Sequence, residues 1–117
     1  TFAHAIETVT EFRSYLHGEA VAIGMVMAAD LSLRMDICQP DTANRLRCLI
    51  EAYGLPVVPP KCPVSAMLEA MAMDKKVMAG RMRFVLAKRI GEVSIEGDIP
   101  QRKLEQTLAA GSESSEG

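Results

Sequence analysis

The sequence predicts a mainly α domain with one short β-hairpin around residues 82–96, and three observations carry that reading. Apolar side chains recur at Ala20, Ile23, Met27, Leu31 and Met35, the three-to-four-residue spacing of one helix face. A second apolar-periodic run lies between Pro40-Asp41 and Gly54, with Pro in the first turn and Gly just past the end, as helices prefer. Two stretches of β-like composition, Met82–Leu86 and Glu92–Ile95, are joined across Lys88–Gly91, which reads as a hairpin or extended pair.

The elements follow in order. Residues 2 to about 10 read as a short helix carrying His4 and Glu7 on neighbouring faces, three residues apart. Glu11 to Tyr15 is polar and reads as a loop. From His17 to about Met35 the helix adds Val21, Met25, Ala28 and Ala29 opposite its main apolar face, so burial on most sides is expected. Gly18 and Gly24 weaken that helix but let another backbone come close. The Pro40 helix runs to about Tyr53, with Ala43, Leu46, Leu49, Ile50 and Tyr53 as its apolar face. Leu55 to Pro63 holds four of the six prolines and cannot be helix. Ser65 is the expected cap of a helix from Ala66 to about Met73, with Met67, Leu68 and Met71 inward and Asp74-Lys75-Lys76 ending it. Pro100 opens a last helix to about Ala110. The polar Ser/Glu/Gly stretch 111–117 is expected to be a disordered tail.

Length and composition bound the function. At 117 residues, 49% hydrophobic and 24% charged, the chain is one globular domain with a core. Aromatics at 4%, no Trp and eight Met make that core aliphatic and thioether, adaptable in its contacts. A formal net charge of −2 gives no electrostatic reason to expect nucleic acid or an anionic membrane. The longest apolar run, Ala20 to Ala29, is too short to span a bilayer and no signal peptide is visible. Three cysteines without a CxxC pair suit reduced thiols in a cytoplasmic protein. There is no G-x-G-x-x-G and no Gly-rich phosphate loop, so nothing here binds a dinucleotide by itself.

The chemistry-bearing residues cluster in the opening quarter. Its two histidines, His4 and His17, are the only ones in the chain. His17 stands where a loop gives way to the long apolar helix, where an imidazole can be held with its outer nitrogen facing a cleft. Taken alone, such a His is more often a cap or a surface residue. Its surroundings say more. Phe2-Ala3-His4-Ala5-Ile6-Glu7, then Leu16-His17-Gly18-Glu19-Ala20-Val21 and on through Met25 to Leu31, resembles the metal-site region of 3-dehydroquinate synthase. Met73-Asp74-Lys75-Lys76-Val77, Gly80 and Arg83-Phe84-Val85-Leu86 resemble that family's D-K-K segment and its sequel. The resemblance covers nearly all the chain to about Ala110.

It implies a dehydroquinate-synthase-like C-terminal helical domain over residues 1–110, with the family's N-terminal NAD-binding domain absent and the chain a fragment. The family's zinc is held by one Glu and two His. On that pattern His17 is the last zinc ligand, the other His would precede Thr1, and the Glu would lie in the absent domain. His4 matches a His that contacts the substrate phosphate region and moves a proton, and a lysine of the Asp74-Lys75-Lys76 run, Lys75 ahead of Lys76, matches a substrate contact. Glu19 reads as an acid behind the ligand or in the first helical turn. Ala3 stands where the family usually has Gly, so a methyl could shift His4.

The implied reaction takes 3-deoxy-D-arabino-heptulosonate 7-phosphate to 3-dehydroquinate and phosphate, with NAD and zinc or another divalent metal, in a cytoplasmic protein that is typically a homodimer. One His cannot make a zinc site, so this chain alone is expected neither to bind zinc or NAD tightly nor to catalyse. Two other readings remain open: another sugar-phosphate cyclase, and a non-catalytic helical remnant that packs against partners.

Overall fold

The computed structural model describes residues 2–10, 15–59, 62–77, 84–89, 92–97 and 99–116. Five helices and one antiparallel hairpin follow in the order α1 (Phe2–Val9), α2 (His17–Arg34), α3 (Pro40–Ala52), α4 (Val64–Val77), β1 (Phe84–Arg89), β2 (Glu92–Glu96) and α5 (Gln101–Glu116). The mainly α class and the hairpin are as the sequence predicts.

The central element is α2, which packs against α1, α3, β1 and α5. Its Ala20, Ile23, Met27 and Leu31 are at most 4% exposed and form one core with Phe2, Ala5 and Ile6 of α1, Met67, Ala70 and Met71 of α4, Phe84 and Leu86 of β1, and Leu104 and Leu108 of α5. The reading of α2 as covered on most sides needs correction. Val21 and Met25 are exposed, because among the described residues no element closes over that side of the helix.

The C-terminal ends of α2 and α3 close by the same device. After α2, Asp36 takes a left-handed φ of 58°, and the Ile37 N–H reaches back to the Ser32 carbonyl at 2.9 Å. After α3, Gly54 takes φ 76° and the Leu55 N–H reaches the Ile50 carbonyl at 3.2 Å. In each case a six-residue back-bond satisfies a carbonyl the helix would leave open. Gly54 signals its stop in the sequence, whereas an Asp at the same kind of position does not.

Of the predicted α3 face, Ile50 is buried and Ala43 and Leu46 half-buried, while Leu49 and Tyr53 are exposed. Among the described elements α3 rests only on α2 and β1, too narrow a seat to cover both. Helix α4 starts at Val64, not Ala66, with the Ala66 and Met67 N–H groups both on the Pro63 carbonyl. Ser65 is therefore inside the first turn and not its cap. The helix also runs past Asp74-Lys75-Lys76 to Val77, since none of those residues breaks a helix. Met67 and Met71 point inward as predicted.

In the hairpin, Phe84 pairs with Glu96, Val85 with Ile95 and Leu86 with Ser94, and the register shifts between Ala87 and Arg89. Alternation buries Phe84 and Leu86 and leaves Val85, Val93 and Ile95 outside. Phe84 meets Phe2 with ring centroids 5.4 Å apart, fastening α1 to the sheet. Met82 and Arg83, predicted in the first strand, lie outside the described residues, as does most of the predicted loop over residues 11–15. The last helix runs from Gln101 to Glu116; one Gly inside a helix is a penalty of about 1 kcal/mol, not a stop.

Candidate metal-ligand site at the mouth of α2

Helix α1, which carries His4, lies against both α2 and α4, the helices that carry His17 and Lys75. The fit of α1 on α2 is close at one point. A side-chain carbon at Gly24 would come within 3.1 Å of the Ala3 nitrogen and 3.3 Å of the Ala3 methyl. The methyl of Ala3 is thus taken up against Gly24 of α2. Gly24 has the close backbone approach expected of it; Gly18 has none within 4 Å.

His17 opens α2, and its side chain is 71% exposed. Its Nδ1 lies 3.2 Å from Oε2 and 3.3 Å from Oε1 of Glu7. The Glu7 side chain is only 9% exposed, buried where α1 meets its neighbours. A carboxylate is acceptor-only when ionised, so the donor in this contact is the imidazole N–H. Glu19 takes a different part from Glu7: its Oε1 accepts the Leu16 N–H at 2.8 Å, tying down a free donor at the helix start. Of the two readings for Glu19, the acid in the first turn is the one its contact fits.

His4 is on α1 one turn before Glu7 and is exposed. Lys75 is in the last turns of α4, its backbone helical; its side chain lies outside the described residues. The contact that sequence reasoning missed is Glu7 on His17. The signal was present, an acid on a short apolar helix at helical spacing from His4, but ten residues separate the pair and only folding brings them together.

Tyr15, next to this helix mouth, has its phenol pushed above the ordinary 10.0 by burial and then by the charges of Glu19 and Cys62. Burial likewise raises the Cys62 thiol above its ordinary 9.0. Cys38, Cys48 and Cys62 are all free. Among the described residues no three His, Cys, Asp or Glu side chains gather as a metal cage, and the candidate ligand is His17. As a donor it fits a zinc site: it is a helix-anchored imidazole with one nitrogen on a carboxylate and the ring largely in the open.

The family model for 3-dehydroquinate synthase C-terminal matches residues 1–77. The chain belongs to the 3-dehydroquinate synthase C-terminal family. It is 51% identical over 110 residues to a 3-dehydroquinate synthase of Acidithiobacillus ferrooxidans, covering 94% of this chain and 30% of that protein. With the 3-dehydroquinate synthase of Syntrophotalea carbinolica it shares 48% identity over 96 residues, 82% of this chain and 26% of that one. The chain thus spans under a third of the length of these relatives. Among solved structures it is similar to 2-epi-5-epi-valiolone synthase from Streptomyces hygroscopicus subsp. jinggangensis 5008, determined with NAD+ and Zn2+ bound. That match has a TM-score of 0.81 and 28% identity and covers 97% of this chain and 32% of that one. A 2-deoxy-scyllo-inosose synthase shares the fold at TM-score 0.74 and 20% identity, over 94% of this chain and 34% of that one. No helix among the described residues is long and apolar enough to cross a membrane.

Proposed function

We propose that this chain is the C-terminal part of a 3-dehydroquinate synthase, a phosphate-eliminating carbon–oxygen lyase. It would convert 3-deoxy-D-arabino-heptulosonate 7-phosphate to 3-dehydroquinate and phosphate in the shikimate pathway, within a cytoplasmic homodimer. The observation that carries the reading is His17: the residue that matches the family's zinc ligand stands at the mouth of α2 with its side chain 71% exposed. The 51% identity to a 3-dehydroquinate synthase, against 28% to the valiolone synthase, supports this cyclase over its relatives.

When bound, NAD and zinc supply a hydride acceptor that returns the hydride later and a Lewis acid for the substrate hydroxyls. This chain's residues do the rest from its side of the cleft. His17 offers one neutral nitrogen to the metal. His4 binds at the substrate phosphate and moves a proton there, work that suits an imidazole near neutral pH. Lys75 contributes a point charge for phosphate or carboxylate. The chain spans 30% of the Acidithiobacillus ferrooxidans relative; on this reading the other metal ligands and the NAD-binding domain belong to the rest of such a protein, and the chain alone neither holds zinc tightly nor turns over. Tight one-to-one zinc binding to the isolated chain, abolished by His17→Ala, would overturn that last point.

The activity itself is tested in a chimera. This chain replaces the matching C-terminal segment of the Acidithiobacillus ferrooxidans synthase, and phosphate release is followed. The expected result is turnover that falls at least about a hundredfold with His17→Ala, the order seen when a metal ligand's support is removed. An active chimera that keeps its rate with His17→Ala would refute the assignment.

A further inference from the structure

The contact between Glu7 and His17 carries an inference beyond the metal-ligand reading on which it rests. We propose that Glu7 is a positioning residue: it holds His17 as the Nδ1–H tautomer and aims the Nε2 lone pair away from the protein. The resemblance assigns roles to His4, His17 and Lys75 and none to Glu7.

The argument starts from the mismatch in burial. Glu7 is 9% exposed and its partner 71%. Burying a carboxylate is costly unless it is well paired, while a partner so open to water returns little stability. On stability grounds alone, an apolar residue at position 7 would serve α1 better, since its neighbours Ala5 and Ile6 are core residues. The return is in orientation. Both carboxylate oxygens lie within 3.3 Å of the same ring nitrogen. That nitrogen must be the donor, and a neutral imidazole with its proton on Nδ1 has its lone pair on Nε2. The pair also ties two elements: Glu7 rides on α1, which is seated on α2 through Ala3 against Gly24. The ring is therefore aimed by a packed helix and not by its own rotamer alone.

Long-range nitrogen–proton spectra of the imidazoles in the full chain test this, recorded at about pH 8.5 so that a free imidazole is neutral. His17→Ala identifies the His17 signals. The expected result is His17 mainly as Nδ1–H. Glu7→Gln keeps the shape and an uncharged acceptor, and should lower the ratio of tautomers about tenfold, the order a charge-assisted bond supplies. Glu7→Ala should lower it further; if that variant unfolds, the Gln variant decides alone. A His17 mainly protonated on Nε2, or one ratio shared by wild type and folded Glu7 variants, would overturn the proposal. Adding zinc chloride to the chimera with the Acidithiobacillus ferrooxidans synthase separates it from the metal reading: an Nδ1–H His17 whose Nε2 ignores zinc there supports the Glu7 assignment and refutes the metal role.

Discussion

Replacing Gly24 by Ala puts a methyl in the seam between α2 and α1, and the structure sets its consequence. The new carbon would lie 3.1 Å from the Ala3 nitrogen and 3.3 Å from the Ala3 methyl. The nearer atom is backbone and cannot swing aside, so α1 itself has to retreat by a few tenths of an ångström. Two terms compete. Ala is favoured over Gly inside a helix by about 1 kcal/mol, and forcing a methyl into a packed seam costs about 1–3 kcal/mol. The net expectation is a loss of up to about 2 kcal/mol, a fall in Tm of up to roughly 8 °C for a domain of this size. The retreat also carries Glu7 away from His17, so the 3.2 Å contact should lengthen and the His17 imidazole spectrum should shift. Thermal unfolding by circular dichroism, read beside that spectrum, makes the test. Adding Ala3→Gly removes the methyl contact but not the one to nitrogen, so it should recover only part of the loss. A Gly24→Ala chain that gains about 4 °C, as propensity alone would give, with His17 unchanged, would refute the seam.

Leu31→Ala, at a fully buried position of α2, should lose about 2–5 kcal/mol in urea unfolding. Met25→Ala on the exposed side of the same helix should stay within about 0.5 kcal/mol, and an equal loss at both would mean that side is covered. The raised pKa values of Tyr15 and Cys62 make the folded chain hold those protons to higher pH than the unfolded one. Their contribution is whole below pH 9.0 and fades as pH rises past 9.0 and then 10.0, through the higher folded values. Urea midpoints should fall over that window, and phenolate absorbance should appear later in the folded chain than in urea. A Tyr15→Phe chain with an identical phenolate curve in the folded state would count against the Tyr15 assignment.

The class and most elements were legible because they are written in local periodicity. Ala20, Ile23, Met27 and Leu31 share a helix face whatever surrounds them, Gly54 can adopt a φ that few residues can, and prolines exclude a helix between α3 and α4. Local patterns could also misplace ends. Ser65 is a good cap by type, yet the Pro63 carbonyl takes the helix start, because the turn there was set by the chain's approach. The candidate ligand His17 was named by the resemblance of the motif around His4 and His17 to the family's metal-site region, not by the residue pattern alone.

What tertiary structure alone decided is which residues meet. An apolar pattern says that a face wants cover, not whether a partner lies over it: Val21 and Met25 of α2 fit the pattern as well as Ile23 does, and water decides between them only once the neighbours are placed. Glu7 and His17 are ten residues apart, a separation no helical or strand period connects. Their contact exists because α1 folds back on α2 where Gly24 has no side chain to keep Ala3 away. Sequence fixes the chemistry available at each position; the seam between two helices decides that a buried carboxylate faces that imidazole.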